Sequence, residues 1–335
     1  MKKKESLVAR IFEKIAPTIG AKVLLESEWG MVGQIIYKNG KKSYFRGSSL
    51  DINPLGSSEI ARDKDFAYYF MKGMGYPTIE GKTFYSDEWA TKIKSDQTVD
   101  LAYKYAMSLN FPLIVKPNSR SQGNGVTKVN GKEEFDQAIK YAFEKDQIVL
   151  VQRYVSGKDY RIVVLGDKVI SAYERIPLSV IGDGVSNIKE LITIKQNLLK
   201  DSGRKVVINL NDFRILYKLK NQGLNMESVL EKNTKVFLLD NANLSAGGDS
   251  IDATSDISDG FKKLAISLTK DMGLCLCGVD LIINGSIDDN AEKTEHWILE
   301  VNSSPGVDNY YSMGDSQKKI VEDLYLEVLK EMETY

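Results

Sequence analysis

Apolar positions recur on two different periods along this chain, and the switches between them mark out the elements. Over residues 6–16 the spacing predicts a helix, which Pro17 stops. Strand-like runs follow at 23–25, 32–37 and 42–45, the last two joined by Asn39-Gly40, a strong hairpin-turn signal. After a stop at Pro54-Leu55-Gly56, the residues Ala61, Phe66, Tyr69 and Phe70 give 57–73 one helical face. Gly75-Tyr76-Pro77 is expected to close that element and start a strand, and a further helical stretch at 98–109 leads to Phe111-Pro112.

From Phe111 the texture changes. Strands are expected at 113–115 and 126–129, flanking a small-residue loop at 119–125, with a helix at 133–143 after them. Strands at 148–152, 160–165 and 167–172 follow, the last two forming a hairpin around Gly166-Asp167. Residues 111–172 therefore read as a compact α+β subdomain inserted between larger parts. Beyond it come a Gly-Asp-Gly turn at 182–184, helices at 188–199 and 211–221, a buried strand at 236–239 and a polar loop at 241–249. A helix at 261–272, strands at 274–283 and 297–301 around a surface excursion at 284–293, and an amphipathic helix at 316–332 complete the reading. There is no internal repeat and no low-complexity tract.

Composition narrows the chemistry more than the fold. With 335 residues, two or three compact units are expected, and 42% hydrophobic with 27% charged residues is ordinary for a soluble globular protein. The 45 basic and 46 acidic residues leave a formal charge of −1, so neither nucleic acid nor an anionic membrane is an expected partner. Lys2, Lys3 and Lys4 read as a solvated tail. No apolar run approaches a membrane span and the start lacks a signal-peptide segment, which makes a cytoplasmic protein the expectation. Cys275 and Cys277 lie in an apolar strand-like run where their side chains are expected to share one face in a core. His296 is the single histidine, so a histidine-rich zinc site is excluded and any nucleophilic triad hangs on one residue with a structural or surface reading. Chemistry must rest on carboxylates, lysines, arginines and backbone groups.

Three clusters carry such groups. Glu300 and Asn302 are two apart in a strand and share a face, while Asp280 interrupts an apolar strand and needs a partner or ligand. If the two strands pair antiparallel, these residues present hard oxygen ligands suited to a sparse, nucleotide-linked Mg²⁺ site; the bland alternative is a carboxylate bonded to backbone near a turn. Lys116 ends a strand ahead of the loop 119–125, whose Gly123 and Gly125 with Ser121 let backbone amides turn closely around phosphate oxygens. A mobile glycine-rich flap fits this loop better than a Rossmann or Walker pattern. Gln152, Arg153, Tyr154 and Val155 follow a strand where backbone and side-chain amides can read adenine, and Asp159 can accept from a ribose.

Assembled, the chain resembles the ATP-grasp superfamily, and more closely the ATP-grasp domain of cyanophycin synthetases and of bifunctional glutathione synthetases. The resembling segments are Phe-Pro-Leu-Ile-Val-Lys-Pro at 111–117, Gln-Gly-Asn-Gly-Val at 122–126 and Gln-Arg-Tyr-Val-Ser-Gly-Lys-Asp-Tyr-Arg at 152–161. They continue with Val-Ile-Gly-Asp-Gly at 180–184, Asn-Ala-Asn-Leu-Ser-Ala-Gly-Gly at 241–248, Gly-Val-Asp at 278–280 and Glu-Val-Asn-Ser-Ser-Pro-Gly at 300–306. Arg62-Asp63-Lys64 and Met74-Gly75-Tyr76-Pro77 look like the entry to the nucleotide-binding part, so the resemblance runs over about 57–330.

The resemblance implies an α+β ATP-grasp fold with nucleotide held between two α+β subdomains. It divides the chain into an entry at 57–110, a small subdomain at 111–172 and a large one at 173–335. Residues 1–56 would be a truncated domain or a dimer surface, the latter implying a homodimer. It further implies an ATP-dependent ligase that activates a carboxylate as acyl-phosphate and joins it to an amine of an amino acid or small peptide. Lys64 and Lys116 would contact ATP phosphates, Gln152, Arg153, Tyr154 and Val155 would line the adenine pocket, and Asp159 would hold the ribose. Asp280, Glu300 and Asn302 would bind two Mg²⁺ ions. Arg161 and Arg175 would sit by the acyl-phosphate, and Asn243, Ser245, Gly247 and Gly248 would seat the acceptor, with Lys116, Arg161, Arg175 and Ser245 as the catalytic set. Too little chain follows the pattern for the second ligase domain of cyanophycin synthetases, so a free-standing ATP-grasp ligase is the expectation. A small-molecule kinase and a nucleotide-regulated binding protein remain the alternatives.

Overall fold

The computed structural model describes residues 6–121, 123–204 and 206–334, so the expectations for Lys2, Lys3, Lys4 and Gln122 lie outside the described residues. Helix α1 (Leu7–Ile15) starts at Ser6, whose hydroxyl accepts from the Ala9 amide at 3.1 Å. Strands β1 (Lys22–Leu25), β2 (Val32–Ile36), β3 (Lys42–Arg46) and β4 (Ser49–Leu50) form an antiparallel meander, with Gly40 at φ +84° in the expected β2–β3 turn. The single helix expected at 57–73 is two, α2 (Leu55–Arg62) and α3 (Lys64–Gly73). Asp63 between them is extended, and its carboxylate accepts from the Asp65 and Phe66 amides at 3.0 Å each, which starts a new helix. That break makes Lys64 the first residue of α3.

The next elements are β5 (Gly81–Tyr85), α4 (Asp87–Ile93), α5 (Val99–Leu109), β6 (Leu113–Pro117), β7 (Thr127–Val129), α6 (Lys132–Phe143) and β8 (Ile148–Arg153). The strand expected right after Pro77 begins only at Gly81. The four strands make an antiparallel sheet in the order β5-β8-β6-β7, and Phe84, Leu113, Val115, Val149 and Val151 bury against Ala102 and Ala106 of α5 and Phe135 and Ala138 of α6. This is the first lobe.

Strands β9 (Lys158–Leu165) and β10 (Lys168–Ile176) lead into a small unit of β11 (Ser179–Ile181), α7 (Ile188–Asp201), α8 (Phe213–Asn221) and β12 (Lys235–Phe237), with a core of its own around Leu178, Ile188, Ile215 and Leu238. Then come β13 (Asp249–Asp252), α9 (Asp259–Asp271), β14 (Leu276–Ile283), β15 (His296–Asn302), α10 (Asp308–Tyr311) and α11 (Asp315–Thr334). The second sheet is antiparallel in the order β13-β10-β9-β14-β15. The expected grouping of 111–172 therefore divides differently. β9 is paired on both sides, by β10 and β14, and belongs to the second sheet with β10, whereas β5 completes the first. A central strand points backbone N–H and C=O groups along both edges, so when buried it needs a paired neighbour on each, and the hairpin partner supplies only one.

Alternation gives the second sheet two unlike faces. Ile162, Val164, Val279 and Leu281 pack on Phe261, Ala265 and Leu268 of α9. On the opposite face Val163, Leu165, Tyr173 and Leu276 share a core with Phe12 of α1 and Tyr325 and Leu329 of α11. Further along that same face the residues turn polar, and the candidate site begins. The two cysteines do not share an environment as expected: Cys277 is buried in the α9 core, while Cys275 lies ahead of β14 and packs toward the α11 core. The strand starts at Leu276, so its alternation does not reach Cys275.

One asparagine ties the N-terminal part to this sheet. Asn53 Oδ1 accepts from the Cys275 and Leu276 amides at 2.7 and 3.0 Å, and its Nδ2 donates to the Leu276 and Ser303 carbonyls at 2.7 and 2.8 Å. Asn53→Ala leaves four backbone groups short of a partner, and urea unfolding is expected to read a loss of about 3 kcal/mol.

Candidate active site

The polar half of the face is built by register. Arg161 on β9 pairs with Tyr173 and Asp280, Asp159 with Arg175, and Asp280 with Glu300, while Gly278 faces Asn302. Period-two alternation thus places Asp159, Arg161, Arg175, Asp280, Glu300 and Asn302 together. A register shift follows Asp280 and leaves Leu299 outside the ladder, turned into the neighbouring pocket wall.

Asp280 is fully buried and is held by Nε and Nη2 of Arg161, 2.7 Å each, and by Nη1 of Arg175 at 3.0 Å. Arg175 also donates from Nε and Nη2 to Oδ1 of Asp159, at 2.8 and 2.6 Å. Asn302 Nδ2 lies 3.5 Å from Asp280 Oδ2 and 3.4 Å from Glu300 Oε1. Lys64 Nζ is 3.8 Å from Glu300 Oε2 and donates to the carbonyls of Asn118 and Arg120 at 3.1 and 2.7 Å. Lys116 is buried at the end of β6. Burial lowers its ammonium to about 8, with the charge of Lys64 acting in the same sense. Burial works to raise the Glu300 carboxyl, but Lys64 and Lys116 outweigh it and bring it down to about 2.

Two adjoining hollows meet here. A cleft of about 480 Å³ is walled by Arg62, Arg161, Tyr173, Ser245, Asn302 and the Ser303-Ser304 turn, among others. The second hollow has Ile114, Lys116, Gly123, Lys128, Asp159, Ile282, Leu299 and the run Gln152, Arg153, Tyr154 and Val155 in its wall. Both share Lys64, Arg120, Ser121, Arg175, Asn243 and Glu300. Within the second, Gln152 Nε2 donates to the Ile79 carbonyl at 3.1 Å, Arg153 turns to Glu80 at 2.9 Å, and Lys128 Nζ lies 3.8 Å over the Tyr154 ring.

The loop between β6 and β7 contributes Arg120 and Ser121 to both hollows and Gly123 to the second. Gly123 has φ +69°, and a Cβ there would fall 2.2 Å from Asn243 Oδ1 and 2.3 Å from Asn241 Nδ2, so only glycine fits the approach. Gly125 packs on Pro117. Gly247 and Gly248 do not wall either hollow: Gly247 presses on Leu178, and Gly248 sits against the Ile176 carbonyl and accepts from Arg204. His296 is apart from both, its Nδ1 2.7 Å from the Thr294 carbonyl and its ring edge-on to Phe261.

Sequence reasoning missed Tyr173, Lys128, Ile282 and Leu299. Tyr173 stacks on Tyr310 with centroids 5.1 Å apart and was two residues from Arg175 on the same face; ending the expected strand at 172 hid it. Among the described residues no group of three or more His, Cys, Asp and Glu side chains gathers as a metal site, and no helix is long and apolar enough to cross a membrane. The Asp280, Glu300 and Asn302 set is smaller, two carboxylates and one amide. Its all-oxygen donor chemistry fits a hard cation that keeps most of its shell for phosphate and water, with arginines neutralising Asp280 in this arrangement.

With the geometry in place, the chain can be set beside known proteins. Residues 70–193 match the family model described as D-ala D-ala ligase C-terminus, and residues 239–324 match the RimK-like ATP-grasp domain. The glutathione biosynthesis bifunctional protein GshAB of Clostridium perfringens is 34% identical over 277 residues, covering 81% of this chain and 32% of that protein. Its counterpart from Pasteurella multocida is 37% identical over 210 residues, 60% of this chain and 28% of that protein. The crystal structure of a bifunctional glutathione synthetase from Pasteurella multocida superposes with a TM-score of 0.60 at 27% identity, over 96% of this chain and 44% of that one. The chain spans about a third of the length of the curated relatives it matches. The glutathione synthetase half of the expected resemblance is thus the one these comparisons bear out. Two lobes around a shared cleft, a matched ATP-grasp domain and a fold likeness along nearly the whole chain lead to one statement: this chain has an ATP-grasp fold and resembles the bifunctional glutathione synthetases.

Proposed function

We propose that the chain is an ATP-dependent ligase that joins a carboxylic acid to an amine through an acyl-phosphate. The observation that carries this reading is the shared wall between the two hollows, where Lys64, Arg120 and Arg175 stand with Glu300 between an apolar-sided pocket and an arginine-rich cleft. A nucleotide in the first and an acid in the second bring a terminal phosphate and a carboxylate to one cationic boundary.

On this reading Tyr154, Ile282 and Leu299 take the base, and Asp159 holds a ribose hydroxyl through Oδ2, since both Arg175 bonds land on Oδ1. Lys64 and Lys116 with the amides around Gly123 take the phosphates. Asp280, Glu300 and Asn302 would hold Mg²⁺, two ions in the fullest form of the proposal, which neutralises charge on the phosphates. The acid's oxygen attacks the terminal phosphorus and the bond to ADP breaks. The amine nitrogen then attacks the acyl carbon, phosphate leaves and the nitrogen loses a proton. Arg161 stabilises charge on the acyl-phosphate, while Arg175, committed to Asp159 and Asp280, keeps the carboxylates in position. Asn243 and Ser245 seat the acceptor; Gly247 and Gly248 shape the turn that carries them. The relatives are named for the biosynthesis of glutathione, a small peptide, which supports an amino acid or short peptide as one substrate here.

A pairwise acid and amine screen with ATP and Mg²⁺, reading phosphate release and product mass, tests this. Release that requires both partners, with a product equal to acid plus amine less water, is the expected result. A stable phosphorylated product from a single acceptor would replace the ligase by a kinase. No ATP turnover with any pair would favour a nucleotide-regulated binding protein.

A further inference from the structure

The unit of β11, α7, α8 and β12 has no part in the chemistry above, yet one of its side chains holds the turn that walls the nucleotide hollow. Asp212 caps α8 by accepting from the Arg214 amide at 3.0 Å, and the same carboxylate clamps the Arg214 guanidinium, Nε to Oδ1 at 3.0 Å and Nη2 to Oδ2 at 2.6 Å. So held, Nη1 donates to the carbonyls of Gly123 and Val126, at 3.0 and 3.2 Å. Both side chains are largely buried, 12% and 13% exposed. Neighbouring contacts set α8 against the first lobe: Phe213 meets the Tyr141 ring edge-on at 4.9 Å, and Asn221 Nδ2 donates to Glu134 at 3.0 Å.

Gly123 and Val126 belong to the wall of the nucleotide hollow. Carbonyl oxygens beside a triphosphate set partial negative charge against full negative charge. A guanidinium that donates to both oxygens removes that conflict, adds a cation nearby and fixes the turn's conformation. The side chains of Asn241 and Asn243 also pack closely on Gly123, where even a Cβ would clash with them. A lysine lacks the planar fork that lets one group be clamped by Asp212 and still reach two carbonyls.

We propose that Arg214 is a positioning residue for the nucleotide: gripped by Asp212, it holds the turn at 123–126 in the form that receives ATP phosphates. The inference rests on the ATP-binding reading above. Calorimetric titration of the full chain with a non-hydrolysable ATP analogue and Mg²⁺, and separately with adenosine, tests it. Arg214→Ala is expected to weaken the ATP analogue about 30-fold while adenosine affinity stays within about 2-fold. Arg214→Lys recovers only part of the loss, and Asp212→Asn, which keeps the arginine but loosens its grip, gives a smaller loss of the same selectivity. If Arg214→Ala does not fold, as judged by its thermal transition, Asp212→Asn carries the test with the same two ligands. Equal binding of the ATP analogue by wild type and variants overturns the inference alone, as does a parallel loss of adenosine, which marks a general structural defect. A wild type that binds no nucleotide overturns the reading beneath it, and the inference with it.

Discussion

Glu300→Gln is expected to lower Mg²⁺-dependent turnover about 10³-fold with a smaller loss of stability than Asp280→Asn, which loses comparable activity and also about 3 kcal/mol of stability. The difference follows from burial. Asp280 is fully buried and neutralises two arginines, so its removal strands their charges in the sheet. Glu300 is a quarter exposed, and its ion-pair partners Lys64 and Arg161 lie 3.8 and 3.9 Å away, so losing its charge costs less than losing that of Asp280. Steady-state assays across a Mg²⁺ titration, paired with denaturant unfolding of both variants, separate the two effects. Near-wild-type turnover in both would sink the metal assignment.

Lys116→Met is expected to cut kcat/KM for ATP about 10²-fold to 10³-fold, the scale seen when one preorganised donor aimed at developing negative charge is removed. The wild type should also show a falling limb in kcat/KM for ATP as pH rises through about 8, because Lys116 is charged below that value and neutral above it. Burial is the main cause of the low value, with Lys64 as a second, while Glu300 and Asp280 act against it. Lys116→Arg keeps its charge across this range and should flatten the limb. An unchanged limb in Lys116→Arg would place the titration elsewhere.

Much of the site was legible because it depends on alternation. Asp280, Glu300 and Asn302 needed only strand period and antiparallel pairing to converge, and the register supplied both. Lys116 and the glycine loop were likewise adjacent in sequence to the strand that presents them. What escaped depends on distant partners. Strands β11 and β13 are short and take their identity from pairing across tens of residues, so 241–249 read as loop up to the point where β13 begins, whereas β12 overlaps the strand expected at 236–239. Nothing local singles out Arg214 within the helix expected at 211–221, since its carbonyl partners lie about ninety positions upstream. The break at Asp63 was readable in principle, as an aspartate capping the next turn, but the continuous apolar stripe of 57–73 concealed it. Leu299 turned toward the second hollow through a register shift that no local pattern announces.

The pairing of α1 with α11 bears on the order in which the chain becomes a protein. Lys14 meets Glu322 at 2.7 Å and Phe12 meets the Tyr325 ring at 5.4 Å, contacts closed across some three hundred residues. The lobe that holds β5 to β8 draws all four strands from residues 81–153 and has every partner it needs as soon as that stretch has left the ribosome. The core beneath β1 to β4 has no such independence. Leu7, Phe12 and Ile35 are made some three hundred residues ahead of the α11 side chains that share their core and must wait, uncovered, for that helix, so this part is among the later ones to be finished, and the interval is when a chaperone has most to hold.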